Sequence, residues 1–511
     1  MATAPDSTAE SAFNPPRDSA SHADRSARYL PILAAAVVVA LIFVLDYLLS
    51  GGAKFPNDDA YIALHNAQVL WAGRDSAYLG TPALIGATSG AQLALLMFFE
   101  SFIPSAPVAL LALCGVATFI YVLGVYFLSL NSGFSRVVAI AVALASLLFA
   151  GCLFQFLNGL DTGMAMAAVI WCLALLSSKR YRPALGALCG VMPFVRPELA
   201  ALGAGAMLVT VCDAKISRRE KAVSVAWAAA AATPFLVWCW IDTGGVIPTT
   251  IGAKAYFFAE GSLPLSERLN LISGGVGMGL AYGFPLIFCL AMVRGLPLKL
   301  LCFGFILIVL FAYLQRFPGG WEANSGRYFF IFAPVVVFSV IDSYAAADAP
   351  RRRFIRSCLI AAIATTGYAS YKQFRSYHYY LTVFRPAVVE TVQWADKHLP
   401  AGATVMVHDA GYIGYAGDFH LVDFTGLKTP WCLAINRRLT YPSGGAMLPQ
   451  AIRAIANQFH PQYLVTVKVW NDKLHIVDSL QRGGWRAKKI FQSRKAPRDA
   501  EVYEIFSLSK E

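Results

Sequence analysis

"AQLALLMFFESFIP", residues 91–104, is the stretch on which the topology of this chain turns. It is apolar, but shorter than the roughly 20 residues a straight helix needs to cross a bilayer. It also closes on Glu100 and "IPSAP". Other apolar runs surround it, several also shorter than a full span, near 30–50, 106–130, 135–150, 163–178, 183–194, 197–213, 222–240, 271–292, 298–314, 328–345 and 354–371. Suppose residues 91–104 stay on one side, as an interfacial or re-entrant helix, with the N-terminus inside. The loops "NSGFSR", "SSKRYRP", "DAKISRREK", "VRGLPLK" and "DAPRRRFIR" then all face the cytoplasm, as the positive-inside rule asks. If the stretch spans, every one of these basic clusters moves outside. The chain is therefore expected to cross the membrane about eleven times, N-terminus in and C-terminus out.

Composition agrees with a polytopic membrane protein. Of 511 residues 57% are hydrophobic and 14% charged, where soluble domains carry about 25% charged residues. The net charge of +12 follows from Lys and Arg in cytoplasmic loops, so no nucleic-acid partner is implied. The cysteines lie mostly in apolar runs (Cys114, Cys152, Cys172, Cys189, Cys239, Cys289), without CxxC or Cys/His ligand spacing. They imply neither a disulfide framework nor a metal cluster. Residues 1–28 are polar and rich in Ala, Ser, Asp and Pro, and read as a disordered cytoplasmic tail. Residues 29–371 form the helical membrane domain. From Lys372 the pattern changes: helical spacing in "AVVETVQWADKHLP" precedes strand-like "ATVMVHD", "FHLVDF", "QYLVTVK" and "EVYEIFSL", with a helix near 447–458. Residues 372–511 thus read as a small, basic α/β domain on the outer, periplasmic face.

The same topology gathers the unusual polar residues outside. "FPNDDAYIALHNAQVLWAG" carries Asp58 and Asp59, "NGLDTGM" carries Asp161, and "FVRPELA" carries Arg196 and Glu198. "GGVIPTTIGAKAY" holds Lys254, and "RFPGGWEANSGRYFF" holds Trp321, Glu322, Arg327 and Tyr328. Ionisable groups at membrane depth are costly and tend to face a functional cavity. Carboxylates suit proton abstraction from a hydroxyl; Arg and Lys suit a lipid phosphate. Together they fit transfer of a sugar from a lipid-phosphate carrier, with the phosphate as leaving group. Each residue also has a plainer reading. Asp58 and Asp59 follow Asn57 where a helix begins and suit a cap. Arg196 can snorkel, Glu198 can pair with it, and Asp161 can cap the helix after it. Lys254 can be solvated, Arg327 can anchor an interface, and His65 can be a polar packing residue.

In order along residues 55 to 430, the chain resembles the GT-C integral-membrane glycosyltransferases, most nearly their arabinofuranosyltransferase-like branch. The resemblance rests on the acidic pair, its helix and the "TS" turn in "GATSG" (Thr88, Ser89), then "GLDT", "RPE", "IPTTIGAK", "WEANSGRY" and "GYIGYAGDFHLVDFTGL". His65 stands where the family often has Arg or Lys, and Thr249 where it commonly has Asn; both departures bear on the donor sugar. The resemblance implies an inverting transferase of the cytoplasmic (inner) membrane. Its donor would be a polyprenyl-phosphate sugar and its acceptor a cell-envelope glycan or glycolipid. It implies Asp58 as general base beside Asp59, and Arg196, Lys254 and Arg327 on the donor phosphate. His65, Thr88, Ser89, Asp161, Glu198, Trp321, Glu322, Tyr328 and Asp423 would contact substrate. No cofactor is required, and divalent-metal dependence stays open. The alternative from another class is a transporter or flippase of lipid-linked sugars, which predicts paired inverted repeats that the sequence does not display.

Overall fold

The computed structural model describes residues 22–178, 181–322, 326–494 and 501–510. Residues 1–21 of the expected tail lie outside these; from His22 the chain is already helical. The apolar runs become helices with nearly the expected bounds. They are α1 (His22–Leu49), α2 (Asp58–Ala72), α3 (Gly90–Glu100), α4 (Ala106–Asn131), α5 (Arg136–Ser146), α6 (Cys152–Leu157) and α7 (Thr162–Ser178). There follow α8 (Arg182–Val195), α9 (Leu199–Cys212), α10 (Arg218–Thr243), α11 (Thr249–Phe258), α12 (Leu265–Gly283), α13 (Leu296–Arg316), α14 (Ala333–Ala346) and α15 (Ala349–Tyr379). Helix α3 runs for only about 16 Å, half a hydrocarbon core. Ser89 caps it by accepting the Gln92 N–H.

Among the described residues four helices are long and apolar enough to cross a membrane: α1, α4, α10 and α13. The number rises to six if each of two bent pairs, α5 with residues 149–157 and α12 with residues 286–292, is one span. Fewer helices therefore meet the criteria than the eleven expected. The other runs are helical but too short, as in α7, α8, α9 and α14, or carry arginines, as in α15. Helix α7 is buried nearly all round and forms the centre of the largest core, against α4, α8 and α14. Helices α8 and α10 pack closely because "GALCG" puts Gly186 and Gly190 at the crossing; a Cβ on either would overlap the carbonyl oxygen of Ser224 or Ala228.

Helix α15 does not end where the composition shifts at Lys372. It runs on through a π turn into α16 (Arg385–His398). The domain beyond it holds a five-stranded sheet, order β2-β1-β3-β5-β4. Its strands are β1 (Thr404–Val407), β2 (His420–Asp423), β3 (Tyr463–Val467), β4 (Trp485–Gln492) and β5 (Tyr503–Lys510). Strand β1 is parallel to β2 and β3; β5 is antiparallel to β3 and β4. Side chains alternate between two cores. Val405, Val407, Val465 and Ile505 face α16, and Met406, Leu464 and Phe506 face the helix of residues 448–459. Two segments of the membrane half enter these cores, Ala77 with Tyr78 in the first and Phe257 of α11 in the second. The Leu421 N–H also donates to the Ala77 carbonyl at 2.8 Å, covering the edge at β2.

Candidate active site

The acidic pair occupies the first turn of α2, where negative charge complements the helix dipole. Asn57 makes no side-chain capping bond. Consecutive helical residues diverge, so the two carboxylates do not act on one spot. Asp58 turns to the C-terminal domain: its Oδ2 accepts the Gly411 N–H and its Oδ1 the Tyr412 N–H, both at 2.7 Å. Asp59 turns to the membrane half, with its Oδ2 2.9 Å from Arg327 Nη1 and 3.7 Å from Lys254 Nζ. The two adjacent carboxylates thus have separate sets of partners.

Asp59 lines a polar cavity of about 530 Å³ with Asp161, Thr88, Ser89, Lys254 and Arg327. Asp58 is not on its wall. A second, apolar cavity of about 780 Å³ is lined by Pro197, Ile251, Ala312, Tyr313 and Phe317, with Arg316 and Glu198. Thr88, Thr250 and Lys254 belong to both walls, and the two threonine hydroxyls are 3.3 Å apart. The Tyr328 hydroxyl accepts from Arg327 Nη2 at 2.9 Å and from Lys254 Nζ at 3.3 Å, which holds both cations at the junction.

Several expected contacts fall elsewhere. Arg196 is 1% exposed and lines neither cavity. Its guanidinium bonds Glu198 through Nε and Nη2, reaches Asp161 and Thr162 through Nη1, and lies over the Tyr328 ring. A buried cation needs such partners, so Arg196 supports the site from behind. Glu198 pairs with it and also accepts from the Tyr313 hydroxyl. Trp321 is buried against Phe332 and Tyr313. Glu322 ends a short 3₁₀ turn. His65 is buried on Asp75 at 3.1 Å. Asp75 also meets Lys428 at 3.3 Å, and Lys428 reaches Asn66 at 2.7 Å. Asp423 is fully buried and bonds Thr425 and the Lys428 N–H. His65 and Asp423 thus sit in the domain junction and line neither cavity. The neighbour of Asp423 that lines the polar cavity is Leu427.

Sequence reading singled out neither Arg385 nor the group under Asp58. Asp409 bonds His408 at 2.9 Å and the Tyr503 hydroxyl at 2.7 Å. Arg385 donates to the Tyr61 hydroxyl at 2.7 Å. The signal in the sequence was that "HDA" directly precedes "GYIGY". Burial pushes Asp58 up, to about 7, helped by the Asp409 charge and opposed by the Tyr412 and Gly411 N–H groups. Burial also acts to raise Asp409, but His408 and Tyr503 outweigh it and hold its carboxyl below the usual carboxylate range.

Asp58→Asn is expected to weaken the junction by roughly 1–3 kcal/mol at neutral pH, because the amide NH₂ would face a backbone donor. It should also change the pH dependence. A carboxyl raised from 3.8 to about 7 stabilises the fold at low pH, and that contribution is lost as pH rises through this window. Thermal unfolding of wild-type protein between pH 4 and 7 should show this decline, and the variant should lack it. An identical slope in both would rule out the assignment.

Among the described residues no group of three or more His, Cys, Asp or Glu could hold a metal ion. Residues 370–506 match a family model described as a domain of unknown function (DUF8728). No curated protein sequence matches the chain. Among solved structures it is similar to the arabinofuranosyltransferase AftD from Mycobacteria, with 16% identity and a TM-score of 0.50, covering 94% of this chain and 40% of that one. It is similar also to ArnT from Cupriavidus metallidurans bound to undecaprenyl phosphate, with 12% identity and a TM-score of 0.54 over 92% of this chain and 97% of that one. The apo ArnT structure gives 13% identity and a TM-score of 0.53. The chain shares its fold with these AftD and ArnT structures. The chain spans two fifths of the AftD chain but nearly all of ArnT, so the likeness covers both the helical half and the C-terminal sheet domain.

Proposed function

We propose that the chain is an inverting membrane glycosyltransferase that takes a sugar from a polyprenyl-phosphate donor on the outer face of the cytoplasmic membrane. The acceptor is a cell-envelope glycan or glycolipid. The observation that carries this reading is Lys254 on the shared wall of a polar and an apolar cavity. A polyprenyl-phosphate sugar has the same division: an apolar chain for the groove past Ile251, Ala312 and Phe317, a phosphate at the junction, and a sugar for the polar side. The solved ArnT complex with undecaprenyl phosphate supports the same donor class. The topology behind this reading has about eleven crossings, with residues 372–511 outside.

The chemistry then runs as a single displacement. Phosphate binds Arg327 and Lys254 and displaces Asp59 from them. Asp59 takes the proton of the acceptor hydroxyl, whose oxygen attacks the anomeric carbon. The bond from that carbon to the phosphate oxygen breaks, and its electron pair leaves on the lipid phosphate, stabilised by the two cations. The base is assigned to Asp59 in preference to Asp58 on geometry, which ranks ahead of pKa. A titration near 7 would suit a base, but both Asp58 oxygens already accept backbone N–H bonds.

Purified protein with a labelled polyprenyl-phosphate sugar and cell-envelope acceptor should release free lipid phosphate and labelled acceptor with inverted anomeric configuration. Binding of the donor without turnover would sink the enzyme reading and favour transport. Arg327→Lys should reduce kcat/KM for the donor by about 10–100-fold, since a charged hydrogen-bonding fork is lost although the charge remains. Native donor affinity in that variant would remove Arg327 from the phosphate site.

A further inference from the structure

A wide apolar groove in the helical half lies away from the candidate active site. It runs between α5, α14 and α15, and its walls are apolar, including Val138, Val142, Phe149, Val340, Leu359 and Ile363. It opens sideways: Val138 is 44% exposed and Ile363 70%. From Arg356 to Thr366 it follows α15 for about 15 Å, half of a hydrocarbon core of about 30 Å. Its mouth is at the N-terminal end of α15, and the opposite end of that helix leads to the sheet domain. The groove therefore begins at the membrane face away from the candidate active site.

The mouth is polar in one sense only. Arg356 donates to the Tyr344 hydroxyl through Nε at 3.0 Å and Nη2 at 2.8 Å. Its guanidinium and that of Arg352 lie 5.8 Å and 5.7 Å from the centre of the Tyr344 ring. One aromatic residue thus holds two guanidinium groups together. Both side chains are exposed. Among the described residues neither forms an ion pair with a carboxylate. The nearby acids are already engaged: Asp342 holds Arg294 at 2.8 Å, and Asp348 caps α15 by accepting the Arg351 N–H. Arg351 and Arg353 add positive charge on the same turn.

We infer that this groove is a binding site for one anionic phospholipid of the leaflet facing away from the active site. An acyl chain lies along α5, α14 and α15, and the phosphate sits on Arg352 and Arg356. Arginine forks suit a phosphate, and a groove as deep as one leaflet suits a chain. A zwitterionic lipid offers the same chain, but its cationic end would meet Arg351 and Arg353. This site is independent of the sugar-transfer reading.

The test uses the full chain in detergent, titrated with phosphatidylglycerol, with phosphatidylcholine of the same chains, and with glycerol phosphate, which has no chain. Thermal unfolding and lipid retention in native mass spectra are recorded. Phosphatidylglycerol should bind at least about tenfold more tightly than phosphatidylcholine. Glycerol phosphate should leave the unfolding temperature unchanged. The double variant Arg352→Gln with Arg356→Gln should remove the preference between lipids. Equal binding of the two lipids, an equal effect of glycerol phosphate, or an undiminished preference in the double variant would each overturn the site. If the double variant does not fold, the comparison of the three ligands on the wild-type chain decides alone.

Discussion

Asp59→Asn should lower kcat by about 10²–10⁴-fold, the usual contribution of a positioned general base, while the KM for donor stays level or falls. The amide keeps the size of the side chain and cannot take a proton. It also removes a negative charge 2.9 Å from Arg327, at the place assigned to the donor phosphate. Donor binding should therefore not suffer, and this split separates loss of a base from loss of the phosphate clamp. Arg327→Lys should show the reverse, with KM rising. Asp161 is the other carboxylate on the same wall. Its side chain is 10% exposed against 29% for Asp59, and it is held by Arg196, so Asp161→Asn should be the milder change. Turnover in Asp59→Asn within about threefold of native, an amount far below a base contribution, would defeat the assignment. A large loss in Asp161→Asn alone would move the base there.

Which acid faces the cavity was not legible in the sequence, and the reason is distance along the chain. The partners of Asp58 lie 353 and 354 residues away, on Gly411 and Tyr412. Helix periodicity states that adjacent acids diverge, but not what each one meets. Local pattern served better where packing is local. Most apolar runs coincide with helices, though α1 and α15 extend up to eight residues beyond their runs and the run 271–292 breaks at Gly283; alternation predicted β1, β2, β3 and β5. Strand β4, "WRAKKIFQ", was not among the expected strands: it is an edge strand, where lysines face water and break the apolar alternation. The change at Lys372 marks where a helix leaves apolar surroundings, since α15 continues to Tyr379. Arg196 and Glu198 sit two residues apart, so their pairing could be foreseen as one alternative. His65 and Asp423 could not be separated from cavity residues, because a buried network and a binding site use the same side chains. Only Asp75, Asn66 and Lys428, brought in by the fold, show which it is.

Gly411→Ala is expected to destabilise the protein by about 3 kcal/mol or more, with the sheet domain released from the helical half. Backbone conformation is not the cause: Gly411 has φ −80°, which alanine adopts freely. The cause is contact. A Cβ at this position would overlap the Asp58 carbonyl oxygen and lie 2.6 Å from its Oδ2. The first of these is a backbone atom inside the first turn of α2 and cannot swing away. The loop must retreat instead, and it takes with it both N–H bonds to Asp58. The Tyr61–Tyr412 ring contact, 4.9 Å between centres, and the hold of Arg385 on Tyr61 lie on the same seam. Leu427, carried by the retreating domain, is part of the polar cavity wall, so turnover should fall along with stability. Gly277→Ala is the matched control, because a Cβ there meets nothing within 4 Å and should be neutral or slightly stabilising in a helix. Thermal unfolding and limited proteolysis near residues 380–385 would report the release. If Gly411→Ala unfolds at the native temperature, resists protease as wild type does and turns over normally, then Asp58 does not anchor the domain, and its carboxylate is again free to be the base.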